Sequence, residues 1–312
     1  MNSWDKRYRE SVQLLVDVLP TVARESRFAL KGGTAINLFE HDLPRLSVDI
    51  DLTWLPVRDF ATDSREIAAA LHDMAAALAA PPLRLNLRTS TSAGTEGFTR
   101  LIAMRGRSSI QIETTPVMRG SVHPIRMMSV QPGVQRAYGF ATLQVLDFAD
   151  LYAGKLAAAL SRQHPRDLFD IGALLATNGI NDRLWRTFLV YLTCSPKPAA
   201  ELLAPGIPDL AVPFERQFQG MTTQPTTVEA LLDARRRLLA RMTELLDERS
   251  RAFLISVEQE QPDFQLIGLP QAANLPAVRW KLHNLARRTP IKRESDYRQL
   301  LQVLERIGRG AA

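Results

Sequence analysis

The sequence predicts an α/β (α+β) fold, in which a small mixed β-sheet flanked by helices is followed by a helical C-terminal domain. Three observations predict it. Apolar residues recur at helical spacing in the first 27 residues. Strict period-two alternation marks LSVDIDL (46–52) and several later runs. After about residue 147 the chain changes to long helix-forming segments rich in alanine and leucine.

Taken in order, Val12, Leu15, Val16 and Leu19 line one face of a first helix. Phe28 to Leu30 form a short strand running into Gly32-Gly33, and Ala35 to Phe39 a short helix with Thr34 as its N-cap. Residues 46–52 are the second strand, and the alanine-rich stretch 64–80 is a helix. LRLNLRT (83–89) and FTRLIAMR (98–105) alternate on either side of STSAGTEG, which predicts a hairpin, and SIQIETT (109–115) is a further strand. DFADLYAGKLAAALSR (147–162) is a helix stopped by the His164-Pro165 step, because proline disfavours helix at the residue before it. RDLFDIGALLAT opens another helix, six prolines between 196 and 225 make an irregular connection, and 227–258 and 275–308 are helical. The expected division is residues 1–146, carrying the sheet, and 147–312, the helical part.

Composition narrows the functional classes. The chain of 312 residues is 46% hydrophobic and 23% charged, which excludes global disorder. Its single cysteine, Cys194, cannot close an internal disulfide. The N-terminus has no signal-peptide pattern, and the most apolar stretch, MAAALAAPPL, is short and broken by Pro81 and Pro82, so a cytoplasmic protein without membrane spans is expected. The five histidines show no zinc spacing. Net charge is +6, and residues 275–310 hold nine Lys/Arg against three acids. That surplus suits a polyanionic partner, and equally a solvated helix face.

The chemistry concentrates between residues 28 and 52. In a strand, residues two apart share a face, so Asp49 and Asp51 project together while Val48, Ile50 and Leu52 project oppositely. Their Cα atoms stand roughly 6.5–7 Å apart, a span from which two carboxylates reach one Mg²⁺ or a close metal pair. Magnesium takes a few carboxylates together with phosphate oxygens and water. Gly32 and Gly33 let backbone approach a phosphate without an intervening Cβ, and a helix opening there offers free N–H groups to an anion. Each half alone is commonplace: an exposed pair of acids, a strand-to-helix turn. Their order and proximity give the pattern its weight.

GGT, a short helix and then Asp-x-Asp resemble the signature of the DNA-polymerase-β-like nucleotidyltransferases. The longer strings GGTAINLF, LPRLSVDIDL and GKLAAALSRQHPRDLFDI are similar to the AbiEii/AbiGii toxin branch, to which the mycobacterial MenT toxins belong. The fourteen-residue spacer between Thr34 and Asp49 is slightly longer than usual there. The resemblance implies that Asp49 and Asp51 bind metal, that Gly32, Gly33 and Thr34 contact a triphosphate, and that Lys155 and Asp167 complete the catalytic set from the helical domain. It implies Mg²⁺ as cofactor, an NTP as substrate, the 3′ end of tRNA as acceptor with loss of aminoacylation, and a separately encoded antitoxin as partner. Lys155, among small residues, is otherwise a surface lysine, and Asp167 and Asp170 otherwise complement the dipole in the first turn of a helix.

Two further residues join the candidates by position. Glu113, on the strand face opposite Ile110 and Ile112, is the candidate for the third carboxylate that the resemblance implies on a neighbouring strand, as a metal ligand or proton acceptor, and is otherwise an exposed strand glutamate. Ser47, two residues before Asp49, is a candidate nucleotide contact. The same site would serve an enzyme that nucleotidylates a protein or small molecule, or a nucleotide- or RNA-binding module without turnover. A glycosyltransferase also uses Asp-x-Asp, but its chemistry does not call for the preceding Gly-Gly-Thr.

Overall fold

The alternating segments assemble into one seven-stranded mixed sheet, seen in a computed structural model that describes residues 6–91 and 98–308. The strands are β1 (Phe28–Lys31), β2 (Asp49–Trp54), β3 (Asn86–Ser90), β4 (Arg100–Arg105), β5 (Ser108–Thr114), β6 (Arg126–Ser129) and β7 (Thr142–Val145), in the order β3-β4-β5-β2-β1-β7-β6. β2 runs parallel to β5 and β1 parallel to β7, and the remaining pairs are antiparallel. The mixed α/β class therefore stands as the sequence predicts. Much of the expected hairpin connection, residues 92–97, lies outside the described residues.

Contacts divide the chain into two compact units, one running to Asp147 and taking in Gly220–Pro225, the other comprising Phe148–Gln219 and the chain from Thr226. In the first, α1 (Lys6–Val22) packs on β5 and β7, and α3 (Phe60–Ala79) on α1, β3 and β4. Asp59 caps α3, its carboxylate accepting from the Thr62 N–H at 2.8 Å. Leu30, Ile50, Leu52, Leu101, Ile110 and Ile112 are buried at 0–2% exposure and make the sheet's share of the core. α2 (Gly32–Ala35) continues as a π-helical turn through Ile36–Glu40, and α4 (Pro132–Tyr138) precedes β7.

Two local expectations change. The strand over 46–52 begins only at Asp49, because Arg45 and Leu46 pair with a distant strip: the Leu46 N–H donates to Met221 at 2.8 Å, the Thr223 N–H donates to Pro44 at 2.9 Å, and Arg45 bridges Thr222. This pairing draws Gly220–Pro225 out of the proline-rich connection and into the sheet unit. Thr34 is not an N-cap. The helical run starts at Gly32, Lys31 occupies the cap position, and Thr34 is fully buried.

The second unit is helical throughout its regular structure. It contains α5 (Phe148–Arg162), α6 (Pro165–Thr177), α7 (Asp182–Thr193), α8 (Ala199–Leu203), α9 (Ala211–Gln217), α10 (Val228–Leu245), α11 (Glu248–Glu258), α12 (Pro276–Ala286) and α13 (Pro290–Gly308). Pro165 takes the first turn of α6, where a missing N–H costs nothing, and His164 caps it by accepting from Arg166 N–H. Asn181, Thr227 and Asp247 cap α7, α10 and α11 in the same way. α5 packs against α6 and α7, and α10 against α6, around Leu156, Leu160, Leu174, Phe188 and Leu238, each 3% exposed or less. No described helix is long and apolar enough to cross a membrane.

Candidate active site

Register places the acidic residues. Asp49 lies opposite Gln111 and Asp51 opposite Glu113 across the parallel β2–β5 pair, while Asp51 faces Lys31 across the antiparallel β1–β2 pair. Directly opposed residues project to the same face, and so do residues two apart on one strand. Asp49, Asp51 and Glu113 thus share one side of the sheet, half-buried, with Ile50, Leu52 and Ile112 beneath in the core.

The glycine turn meets this face. Gly32 adopts φ +75°, and a Cβ added to it would collide with the Asp51 carboxylate. A Cβ on Gly33 would come within 2.8 Å of the Arg45 guanidinium and 2.9 Å of Ser47 Oγ. Gly32 is therefore required by close approach and by its left-handed backbone, whereas at Gly33 a Cβ would oblige the Arg45 and Ser47 side chains to shift. Gly32→Ala combines that backbone cost of about 1–2 kcal/mol with displacement of Asp51. It is expected to lower the melting temperature by several degrees, measurable by thermal melts.

Thr34 serves from inside. Its hydroxyl donates to the Asp49 carbonyl at 2.5 Å and lies 3.0 Å from Ser47 Oγ. It positions the strand that carries the carboxylates, and its buried hydroxyl is turned away from solvent. Ser47 sits before the strand, not within it, against Gly33. Glu113 is already engaged: Oε2 accepts from Arg100 Nε at 3.1 Å and from Gln111 Nε2 at 2.8 Å. Gln111 and Arg100 thus hold one oxygen of the third carboxylate in a fixed direction.

Two residues outside the sequence-derived set belong to this region. Lys31 completes a charged row across four strands, Lys31–Asp51–Glu113–Arg100, in which two adjacent acids are flanked by a cation on each side. Desolvation pushes its ammonium below the usual lysine value, and Asp51 and Glu113 pull it back up. Arg45, 2% exposed, lies under the glycine turn and donates to the Leu46 carbonyl at 2.8 Å. Lys31 directly precedes the glycine pair and so was open to inference; Arg45 reads as a loop residue until its pairing with Thr222 is known.

In the second unit, Lys155 is no surface lysine. Its side chain is 7% exposed, its ammonium lies 2.9 Å from Asp167 Oδ1 and 3.0 Å from Asp170 Oδ2, and Arg162 reaches Asp167 Oδ2 at 2.9 Å. Burial alone would raise the Asp167 carboxyl, but Lys155 and Arg162 outweigh it and hold the group below the usual aspartate range. Asp167 is in the first turn of α6 as expected, whereas Asp170 comes one turn later, where dipole stabilisation does not reach.

The chain matches the model of the family described as nucleotidyl transferase AbiEii toxin, type IV toxin–antitoxin system, over residues 13–284. It belongs to that family. No curated protein matches the sequence significantly. Among solved structures, the fold is similar to MenT4, a nucleotidyltransferase toxin from Mycobacterium tuberculosis H37Rv, with a TM-score of 0.59 and 18% identity. The similarity covers 89% of this chain and 92% of that one. The family of this chain is that of AbiEii toxin nucleotidyltransferases, and its fold is similar to that of MenT4.

Proposed function

We propose that the protein transfers a nucleoside monophosphate from an NTP to the 3′ end of tRNA and so blocks aminoacylation. The observation that carries this reading is the contact of the Asp51 carboxylate with Gly32, on the sheet face shared by Asp49 and Glu113. Three carboxylates on one sheet face beside a glycine turn are hard oxygen donors of the kind Mg²⁺ prefers, together with phosphate oxygens. When bound, Mg²⁺ supplies charge neutralisation at the α-phosphoryl group and leaving pyrophosphate.

The chain's own residues do the rest. Asp49 and Asp51 would hold the metal, with Glu113 beside them. The Gly32 and Gly33 N–H groups donate to the triphosphate oxygens, with Lys31, Arg45 and Ser47 around the turn. Thr34 fixes the strand on which Asp49 sits. Lys155 and Asp167 are assigned to the catalytic set by the family resemblance, from the unit to which acceptor binding is also ascribed. An acceptor hydroxyl attacks the α-phosphorus and pyrophosphate leaves, with most of the acceleration coming from positioning and fixed charge. The type IV setting of the family implies an antitoxin as partner.

The test is incubation of purified protein with Mg²⁺, each α-labelled NTP and total tRNA, with total protein in parallel. Label at the tRNA 3′ end is the expected result. Label confined to protein would move the reading to a protein-modifying transferase, and no label in any arm would leave only a binding module.

A further inference from the structure

The basic C-terminal segment is not uniform. On α13 and in the turn before it, the cations are largely spent within the protein: Arg288 bridges Glu258 and Asp296, Lys292 bridges Asp296, Arg293 bridges Glu260, and Arg298 bridges Glu294. α12 is different. It holds Arg279 and Lys281 and is followed by Arg287, with no Asp or Glu within it. Arg279 donates to the neutral Asn274 side chain, and no described acid forms an ion pair with Arg279 or Arg287. Lys281 is turned inward, donating to the Ser195 carbonyl at 2.6 Å.

At 100° per residue, Arg279, Trp280, His283, Asn284 and Arg287 fall on one side of α12, and all are exposed. Trp280 is 55% exposed, while Trp54 and Trp185 are at 0–1%. The indole stacks on His283 with centroids 5.9 Å apart and planes 20° from parallel. Two flat rings bracketed by guanidinium groups with no acidic partner among the described residues match a chain of flat bases joined by phosphates. A protein partner would find little apolar area here beyond the indole.

We propose that this face of α12 is a stacking platform for a single-stranded segment of RNA, with Trp280 and His283 receiving a base and Arg279 and Arg287 the flanking phosphates. The proposal rests on RNA being the acceptor and names where its unpaired part lies. The test is titration of the full chain with a fluorescein-labelled single-stranded oligoribonucleotide, read by anisotropy and by tryptophan quenching. Trp280→Ala is expected to weaken binding ~10-fold, while Trp280→Phe keeps most of the affinity and loses most of the quenching. Arg287→Gln should reduce the slope of log affinity against log salt by about 0.7.

Asp49→Asn separates this idea from the transferase reading, since it should bind the oligonucleotide like wild type yet fail to transfer. If Trp280→Ala binds RNA like wild type, the platform is overturned, whatever the variant does to binding of a protein. If wild type transfers nothing while Trp280→Ala still loses RNA binding, the platform stands and the transferase reading falls.

Discussion

Asp49→Asn is expected to reduce nucleotidyl transfer by ~10³-fold or more, with Asp51→Asn equally inactive. The size follows from the metal-holding role proposed for the carboxylates. A divalent ion at a transferring phosphoryl group contributes several kcal/mol of charge stabilisation, and each 1.36 kcal/mol is a factor of ten in rate. Two acids two apart on β2, both half-buried, leave little redundancy once one oxygen of Glu113 is committed to Arg100 and Gln111. The amide is isosteric, so packing survives. The two variants should differ in one respect. Asp51 faces the desolvated Lys31 across the strand pair, so Asp51→Asn removes a counter-charge that Asp49→Asn leaves in place. Asp49→Asn should therefore melt near wild type, and Asp51→Asn somewhat lower. Pyrophosphate release measures the first effect, Mn²⁺ titration the metal loss, and calorimetry the stability difference. Wild-type turnover in Asp49→Asn would remove the acidic pair from the reaction.

What could be read from sequence was what repeats locally. Alternation located β2, β4 and β5, and with them the shared face of Asp49, Asp51 and Glu113, because a strand's side-chain period is a property of each residue's neighbours. The glycine turn was legible for the same reason. What escaped depends on partners far along the chain. Leu46 leaves the strand pattern because its N–H finds Met221, a segment that a run of prolines marks only as irregular. Thr34 passes for a cap when only the following residues are considered, yet its hydroxyl belongs to Asp49, fifteen residues on. Arg45 is buried where the glycine turn approaches its guanidinium and its backbone pairs with Thr222, far along the chain. In α12 and α13 the surplus of Lys/Arg is visible in composition, but which cations are already neutralised is decided by Glu258, Glu260 and Asp296 in the packed helices.

Lys155→Ala is expected to cost about 3–5 kcal/mol of stability, the range for breaking a buried pair from one side. The substitution leaves Asp167 and Asp170, 3% and 1% exposed, without the ammonium that lies within 3.0 Å of both. Arg162 still reaches Asp167, but its side chain is 65% exposed and its charge is screened by water. For a unit of this size the melting temperature should fall by roughly 10 °C. The pH dependence has a definite sign. Asp167 titrates below the aspartate range in the folded protein, so the stabilisation from its pairing is present above pH ~4 and fades as pH falls through the folded value. The gap between wild type and Lys155→Ala should therefore narrow on acidification. Adding Asp170→Asn to Lys155→Ala should restore part of the loss at neutral pH, since one of the stranded charges is gone. These melts decide how an activity measurement is read. Transfer lost in a Lys155→Ala chain that is still folded at the assay temperature assigns the ammonium to the nucleotide, whereas loss that tracks the melt and returns with Asp170→Asn assigns it to the fold.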